Sequence, residues 1–336
     1  MASSLVDLVW SKVTNHPRLA GLCALLLALK VYYKLTTGRC RSRRRLDGLT
    51  AVVTGANSGI GKETARDLAR RGARVIMACR NLAKAERARE DIVRTTGNED
   101  VHVRSLDLSR LASVHAFVDG FLETEAGLHI LVCNAGMPGN MGKKSQDGID
   151  LCVQINHLGH VLLTVRLLDL MKRSAPARIV FVSSMMHALY AKLDVDDLCL
   201  ESLFPYDHFV AYSNTKLCNI LTANHLARLL RGTGVTVNSL HPGAVLTEIW
   251  DRTPKFSRGI IKAILRLFMK DAEEGAQTTI HLAVSEDVEY VSGKYFSDCK
   301  EVLPSAAAQD ADLARVVFER SCAILGIPLP TSPSRL

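Results

Sequence analysis

The sequence predicts an α/β fold, a doubly wound parallel sheet with helices on both faces. Three observations carry that expectation. Short apolar runs alternate with helix-spaced segments along most of the chain, as βαβ units require. The runs are nearly continuous in apolar residues, the pattern of strands buried on both faces. The polar, glycine-bearing turns fall after those runs, at the carboxyl ends of strands, where such sheets bind ligands. Composition agrees: 48% of the 336 residues are hydrophobic and only 5% aromatic, which leaves aliphatic material for a large core.

Taken in order, the first element is an apolar stretch, LAGLCALLLALKVYY from Leu19 to Tyr33, interrupted only by Lys30. About 20 apolar residues span a bilayer, so the stretch is short unless Lys30 and Lys34 extend towards the headgroups. Six basic residues lie between Lys34 and Arg45, against Lys12 and Arg18 before the run. A cleaved signal peptide would carry its charge first and end in a small-residue site. An uncleaved N-terminal membrane-anchor helix fits better, and the charge bias places the remainder of the chain on the cytosolic side. Residues 1–45 therefore read as anchor and basic linker, and 46–336 as one folded domain. LTAVVTG (49–55) reads as the first strand and Lys62–Arg71 as its helix, with Ala65, Leu68 and Ala69 on one face. ARVIMAC, VHVRSLDL, HILVCNAG, ARIVFVSS and VTVNSLHPG continue the strands, separated by helices near Leu82–Thr95, Leu158–Met171 and Val210–Leu230.

The net charge is +8, concentrated in Arg39, Arg41, Arg43, Arg44 and Arg45 and in a second set between Lys255 and Lys270. Neither block is interleaved with aromatics in a base-stacking pattern and both adjoin apolar stretches, so a lipid surface is the expected partner and nucleic acid is not. The nine cysteines include no CxxC pair and lie mostly in apolar runs, which points to reduced, buried thiols. The histidines show no metal-ligand spacing, and no metal is expected.

The turn after the first strand is Thr54-Gly55-Ala56-Asn57-Ser58-Gly59-Ile60-Gly61. Glycines there let backbone approach a pyrophosphate, whose charge then meets a helix N-terminus. At the end of the second strand an NAD-type site would place Asp or Glu for the ribose hydroxyls. This chain has Cys79 followed by Arg80, a base suited to a 2′-phosphate, so NADP(H) is the expected cofactor. Asp107-Leu108 ends the third strand, where a carboxylate can take the adenine amino group. Asn134-Ala135-Gly136 ends the fourth with small residues. Tyr212 and Lys216, at i and i+4, share one helical face, and a nearby ammonium together with the positive nicotinamide ring would lower the phenol pKa from about 10. Ser183-Ser184 at a strand end and Asn156 ahead of a long helix complete the set.

With these residues assembled, the chain resembles the short-chain dehydrogenase/reductases, a Rossmann-type family, from about Leu49 to Cys299. The resemblance rests on TGxxxGxG (Thr54–Gly61), Asp107, NAG (Asn134–Gly136), Asn156, Ser184, YxxxK (Tyr212, Lys216) and Pro242-Gly243. VIMACRN, INHLGH, RIVFVSS, HPGAVLT and SGKYFSDC are similar to the membrane-bound retinol dehydrogenase/retinal reductase branch, which generally prefers NADP(H). The resemblance implies Tyr212 as acid/base, Ser184 as hydrogen-bond partner of the substrate oxygen, and Lys216 on the nicotinamide ribose. It implies Asn156 as holder of a water leading to Lys216, and Thr247 beside the nicotinamide amide or pyrophosphate. Met185-Met186-His187 departs from the Leu and Ala usual after the serines, which reshapes the substrate pocket.

Between Ile249 and Asp271, Lys255, Arg258, Lys262, Arg266 and Lys270 recur at helical spacing opposite an apolar side. That is the pattern of a surface helix or of a basic interfacial helix beside the substrate. The expected activity is NADP(H)-dependent interconversion of a lipophilic alcohol with its aldehyde or ketone, retinal first and a steroid or other lipid carbonyl second. An idle NADP-binding sensor or scaffold is the alternative class, which intact Ser184, Tyr212 and Lys216 oppose. The expected setting is the endoplasmic reticulum membrane with the domain facing the cytosol; members of such families pair through helices, so a homodimer is expected.

Overall fold

The computed structural model describes residues 17–139, 142–245 and 269–331. The chain forms two units. The smaller comprises residues 1–37 and 253–269; its described helix is α1 (Pro17–Thr36), 20 residues long. At 1.5 Å per residue such a helix measures about 30 Å, the thickness of a bilayer's hydrocarbon core.

The larger unit (38–252 and 270–336) is built on an eight-stranded sheet of order β3-β2-β1-β4-β5-β6-β7-β8. Its strands are β1 (Thr50–Thr54), β2 (Arg74–Cys79), β3 (Val101–Ser105), β4 (Ile130–Cys133), β5 (Ala177–Val182), β6 (Val235–His241), β7 (Tyr295–Ser297) and β8 (Lys300–Glu301). β1 to β7 are parallel, and β8 turns back antiparallel on β7. The connecting helices are α2 (Gly59–Arg70), α3 (Leu82–Thr96), α4 (Leu111–Thr124), α5 (Leu151–Arg173), α6 (Met186–Leu189), α7 (His208–Leu229), α8 (Ala272–Val284), α9 (Ala306–Gln309) and α10 (Ala311–Ile324). Winding outward in both directions from β1 and β4 creates the topological switch point at which these sheets hold dinucleotides.

Two apolar layers cover the sheet. One joins α4, α5 and α7 to Val52, Ile76, Leu131, Ile179 and Phe181; the other joins α2, α3 and α8 to Ala51, Val53, Met77, Val132 and Val180. Alternate residues of β1, β2, β4 and β5 serve opposite layers, which is why those strands are mostly apolar, whereas the edge-side β3, VHVRS, is only partly buried. Each fully buried Phe or Leu contributes roughly 1.5–3 kcal/mol by burial. α5 has the length and mean hydropathy of a membrane span, 1.3, but 78% of that window is buried, so its apolarity belongs to the core.

Two expectations about elements are corrected. Asn156 does not precede its helix. Asp150 caps α5 by accepting from the Cys152 and Val153 amides at 2.9 and 3.1 Å, so the helix starts at Leu151 and Asn156 sits inside it, on a π-helical segment, Gln154–Leu158. Lys270 does not lie on an exposed basic face. It is 1% exposed, forms a bridge with Val245, and its Nζ bonds Asp298 Oδ1 at 2.6 Å. Thr247 and the rest of the basic stretch lie outside the described residues.

Candidate active site

The carboxyl ends of β1, β2, β4, β5 and β6 converge on one edge of the sheet, and the residues singled out by sequence meet there. At the β1–α2 turn Gly55 and Gly59 take φ of +68° and +55°, where L side chains are strained. A Cβ at Gly61 would lie 2.5 Å from Asn134 Nδ2 and 2.6 Å from the Gly55 carbonyl oxygen, so α2 closes on its own turn only as glycine. The cradle at 55–61 is thus made of backbone, with Asn57, Ser58 and Ile60 between the glycines. Ser58 is the N-cap of α2 and makes no side-chain capping bond.

Thr54 ties this turn to β4. Its hydroxyl accepts from the amides of Asn134 and Ala135, both at 2.9 Å, and Asn134 Nδ2 donates to the Thr54 carbonyl at 2.8 Å. His160 completes the joint. Nδ1 faces the Asn156 carbonyl at 3.3 Å, which can only accept, so Nδ1 carries the proton and Nε2, 2.9 Å from Thr54 Oγ1, accepts from that hydroxyl. Burial drives the His160 pKa down to about 3, in keeping with a neutral ring.

Arg80 is exposed one residue beyond β2. The preceding Cys79 is buried against the Ala56 and Asn57 amides, and burial pushes its thiol up to about 11. The slot therefore holds an uncharged thiol at neutral pH and a guanidinium beside it. Asp107 lies two residues past β3 with Oδ1 held by the Ser109 amide (3.0 Å) and hydroxyl (2.6 Å), while Leu108 is buried.

The second half of the site is a network of buried polar side chains. From α7, Lys216 is 3% exposed; its Nζ lies 5.5 Å from the centroid of the Tyr212 ring and donates to the Val182 carbonyl at 3.0 Å. Ser183 donates to the Lys216 carbonyl at 2.7 Å, and the Ser184 side chain stands beside the Tyr212 phenol and pulls its pKa down. Asn156 reaches across from α5. Its Oδ1 accepts from the Met137 amide (2.8 Å), and its Nδ2 donates to the Met137 carbonyl (2.9 Å) and Thr215 Oγ1 (3.1 Å). Gly136 joins the two halves: a Cβ there would stand 3.3 Å from Asn156 Oδ1 and 3.6 Å from Lys216 Nζ.

Of the two influences expected to lower the Tyr212 pKa, the Lys216 ammonium by itself does not do so. Burial pushes the phenol up to about 12, outweighing the Ser184 side chain that pulls it down. Lys216 is itself driven down to about 8 by burial, and its ammonium is spent on the Val182 carbonyl. At neutral pH the pair is therefore a protonated phenol beside a largely protonated amine, an arrangement that can deliver a proton to an oxygen held by Ser184.

Pro242 and Gly243 follow β6, Gly243 at φ +93°, and the Pro242 carbonyl accepts from Lys270 Nζ at 3.3 Å. Sequence reasoning marked His187 only as part of the departure after the serines, and missed Tyr295. His187 Nδ1 donates to the Ser184 carbonyl at 2.6 Å, its Nε2 accepts from the Ser305 amide at 3.1 Å, and its ring stands edge-on to Tyr295 at 5.1 Å. Tyr295 is buried near Tyr212, and its phenol is raised by burial and then by that neighbour. His187 was signalled only by its place after the serine pair; nothing local signals Tyr295. The β5–α7 connection and the first turn of α7, at the same edge of the sheet, carry exposed apolar side chains. Leu189, Tyr190 and Phe209 are about half exposed or more and Phe204 is 94% exposed, with Tyr190 stacked on Phe209 at 5.7 Å.

A glycine cradle, small residues along β4, an exposed arginine at β2 and a Ser–Tyr–Lys cluster fit a nicotinamide dinucleotide. The comparisons with known proteins agree. The short chain dehydrogenase family model matches residues 49–193. Retinol dehydrogenase 11 of Homo sapiens is 44% identical over 304 residues, 90% of this chain and 94% of that one. The crystal structure of an uncharacterized protein from Mycobacterium paratuberculosis superposes with a TM-score of 0.69 at 32% identity, over 88% of this chain and 100% of that one. A proposed NAD(P)-dependent gluconate 5-dehydrogenase from Beutenbergia cavernae, solved with bound NADP, gives 0.61 at 25% identity over 76% and 96%. The chain belongs to the short-chain dehydrogenase/reductase family, in its retinol dehydrogenase-like branch, and is an oxidoreductase of alcohols and carbonyls that uses a nicotinamide cofactor.

Proposed function

We propose that the protein is an NADP(H)-dependent, membrane-anchored reductase of lipophilic aldehydes or ketones, with retinal as the first substrate and a steroid or other lipid carbonyl as the second. The observation that carries this reading is the site's composition: a Ser184–Tyr212–Lys216 cluster under an apolar mouth, with Arg80 exposed at the adenosine end. Gly55–Gly61, Asn134–Gly136, Asp107, Leu108, Pro242 and Gly243 would line the cofactor, with Thr247 next in sequence. Arg80 would take the 2′-phosphate, since a guanidinium binds it through paired charge-assisted bonds. When bound, NADPH supplies the hydride.

The rest is the work of the chain's own side chains. Ser184 orients the substrate oxygen beside the phenol. Tyr212, held protonated by burial, gives that oxygen its proton, and Lys216 keeps a positive charge 5.5 Å from the ring as the phenol loses it. Asn156 fixes the Gly136–Met137 backbone against α7. Cys79, in the slot where NAD-specific sites carry an acid, removes the repulsion a 2′-phosphate would meet. The apolar side chains of the 189–209 connection favour long apolar substrates, because desolvating such a chain contributes about 0.8 kcal/mol per buried methylene. α1 serves as the anchor, with the domain on the cytosolic face of the endoplasmic reticulum.

The test is cofactor oxidation by membrane-extracted protein, comparing NADPH with NADH against retinal, a steroid ketone and a short aldehyde. NADPH-dependent turnover of a long apolar carbonyl, lost in Tyr212→Phe, is the expected result. NADPH binding without turnover of any carbonyl would replace the reductase by a sensor, and a preference for NADH would remove Arg80 from its role.

A further inference from the structure

The basic segment after α1 is docked on the folded unit. Residues 38–46 lie extended along α8 and α2. The Gly38 amide donates to Asp298 Oδ1 at 3.0 Å and the Cys40 amide to Gln277 Oε1 at 3.1 Å. Arg71 donates to the carbonyls of Ser42 and Arg44, both at 3.0 Å, Arg44 pairs with Glu289 at 3.0 Å, and the Leu46 amide bonds the Arg71 carbonyl at 2.9 Å. The Gly38 seat takes no side chain, since a Cβ there would lie 1.9 Å from the Asp298 carbonyl oxygen.

These partners fix the ends. Asp298 directly follows the carboxyl end of β7, and it pairs with Lys270, which reaches Pro242 at the carboxyl end of β6. Arg71 caps the end of α2, and Glu289 precedes β7, so both belong to the opposite, amino edge. The strip therefore descends antiparallel to the strands, and the chain first touches the folded unit at the edge that holds Ser184 and Tyr212. Thr36, the last residue of α1, precedes Gly38 by two residues, at most about 7 Å of chain. The eight-residue descent from Gly38 to Leu46 adds roughly 26 Å at strand rise. The chain thus enters the folded unit at the carboxyl edge and reaches the amino edge only at the far end of the strip.

The carboxyl edge also carries apolar side chains suited to a lipid surface. Leu189, Tyr190, Phe204 and Phe209 stand out from the connection between β5 and α7. Large exposed apolar groups grouped in one place mark an interaction surface, and aromatics are the residues that settle at the acyl–headgroup boundary. Arg39 and Arg41, exposed and without an ion pair among the described residues, begin the strip at the same edge and suit anionic headgroups.

We infer that the carboxyl edge of the sheet is a membrane-contacting surface, with Leu189, Tyr190, Phe204 and Phe209 seated at the acyl–headgroup boundary, so that the substrate mouth opens onto the bilayer. The inference rests on the reading of α1 as an anchor, and its test separates the two. In the full chain carrying Trp10→Phe and Trp250→Phe, a single tryptophan is placed by Phe204→Trp or by Tyr290→Trp. Both positions are about equally exposed, at 94% and 90%, and lie at opposite edges. Each variant is reconstituted into phosphatidylcholine vesicles with or without brominated acyl chains. Quenching of the tryptophan at 204 by about twofold or more, with the one at 290 unaffected, is expected. A floating chain in which neither is quenched, or both equally, overturns the edge assignment alone. A chain that fails to float with the vesicles overturns the anchor and the assignment together.

Discussion

The two halves of the site are built from opposite materials. The cofactor half, at the ends of β1 and β4, is backbone: glycines at 55, 59, 61 and 136, with Thr54 and Asn134 bonding main-chain groups. The catalytic half, at the ends of β5 and on α5 and α7, is a network of buried side chains in which Ser184, Tyr212, Lys216, Asn156 and His187 each depend on a distant partner. A backbone cradle fails by steric intrusion, and its failure shows in stability and cofactor binding. A side-chain network fails by loss of a functional group, and its failure shows in rate with little change in affinity. Substitutions in the two halves should therefore separate binding from chemistry.

The largest separation is expected from Tyr212→Phe. Removing one hydroxyl takes away the proposed proton donor, and kcat should fall by about 10³-fold, within the range for general acid catalysis. NADPH affinity, measured by isothermal titration, should stay within about threefold, because the cradle is untouched. Comparable losses in both would erase the distinction between the halves. Arg80→Ala is the mirror experiment. It should raise KM for NADPH by roughly 10- to 100-fold, the worth of one or two charge-assisted bonds. It should leave kcat at saturating NADPH and KM for NADH almost unchanged.

Gly61→Ala tests whether the cradle is truly steric. Its Cβ would meet the Gly55 carbonyl oxygen at 2.6 Å, so either the turn or α2 must shift. A loss of about 1–3 kcal/mol in unfolding free energy is expected, the usual cost of overpacking. The control is Gly120→Ala on α4, where a Cβ meets nothing within 4 Å. There a gain of about 0.5–1 kcal/mol is expected from helix propensity alone. Chemical denaturation of both variants reads the difference, and a stable Gly61→Ala would show that the turn yields.

The same contrast explains how much of the molecule is legible in its sequence. The cradle and the Tyr212–Lys216 spacing are local, since glycines in a strand–helix turn and an i, i+4 pair need only their neighbours. β1 to β6 are legible to within two or three residues because most of them are buried apolar runs and β3, VHVRS, and β6, VTVNSLH, keep valines at alternate positions. β7 and β8 are not: three and two residues leave no periodicity to detect. His187 and Tyr295 escape notice as site residues because their partners are remote; the Ser305 amide that bonds His187 lies 118 residues away. Lys270 misleads for the related reason that a basic residue at helical spacing resembles a solvated face, while its burial depends on Asp298. The Tyr212 phenol by itself is raised because desolvation outweighs its neighbours, an influence that an i, i+4 spacing does not report.

The smallest and most discriminating effect is expected from the charge of Lys216. Lys216 has an ordinary pKa of 10.5 and is held at about 8 in the folded protein by burial. Its charge is complete well below pH 8 and is lost as the pH rises through 8, whereas Tyr212, at about 12, stays protonated across that range. If Lys216 supports the proton transfer from Tyr212, the reduction rate should be level from about pH 6 to 7.5 and fall about tenfold for each unit well above 8. Lys216→Arg, whose charge persists to much higher pH, should lower the plateau and remove the alkaline fall. The signs matter because the two groups predict different limbs. A fall beginning near 10 would assign the limb to the phenol and show that bound cofactor and substrate relieve its burial. A fall near 8 that survives Lys216→Arg would place the titrating group outside the Tyr212–Lys216 pair, and the catalytic half would then be larger than the network traced through β5 and α7.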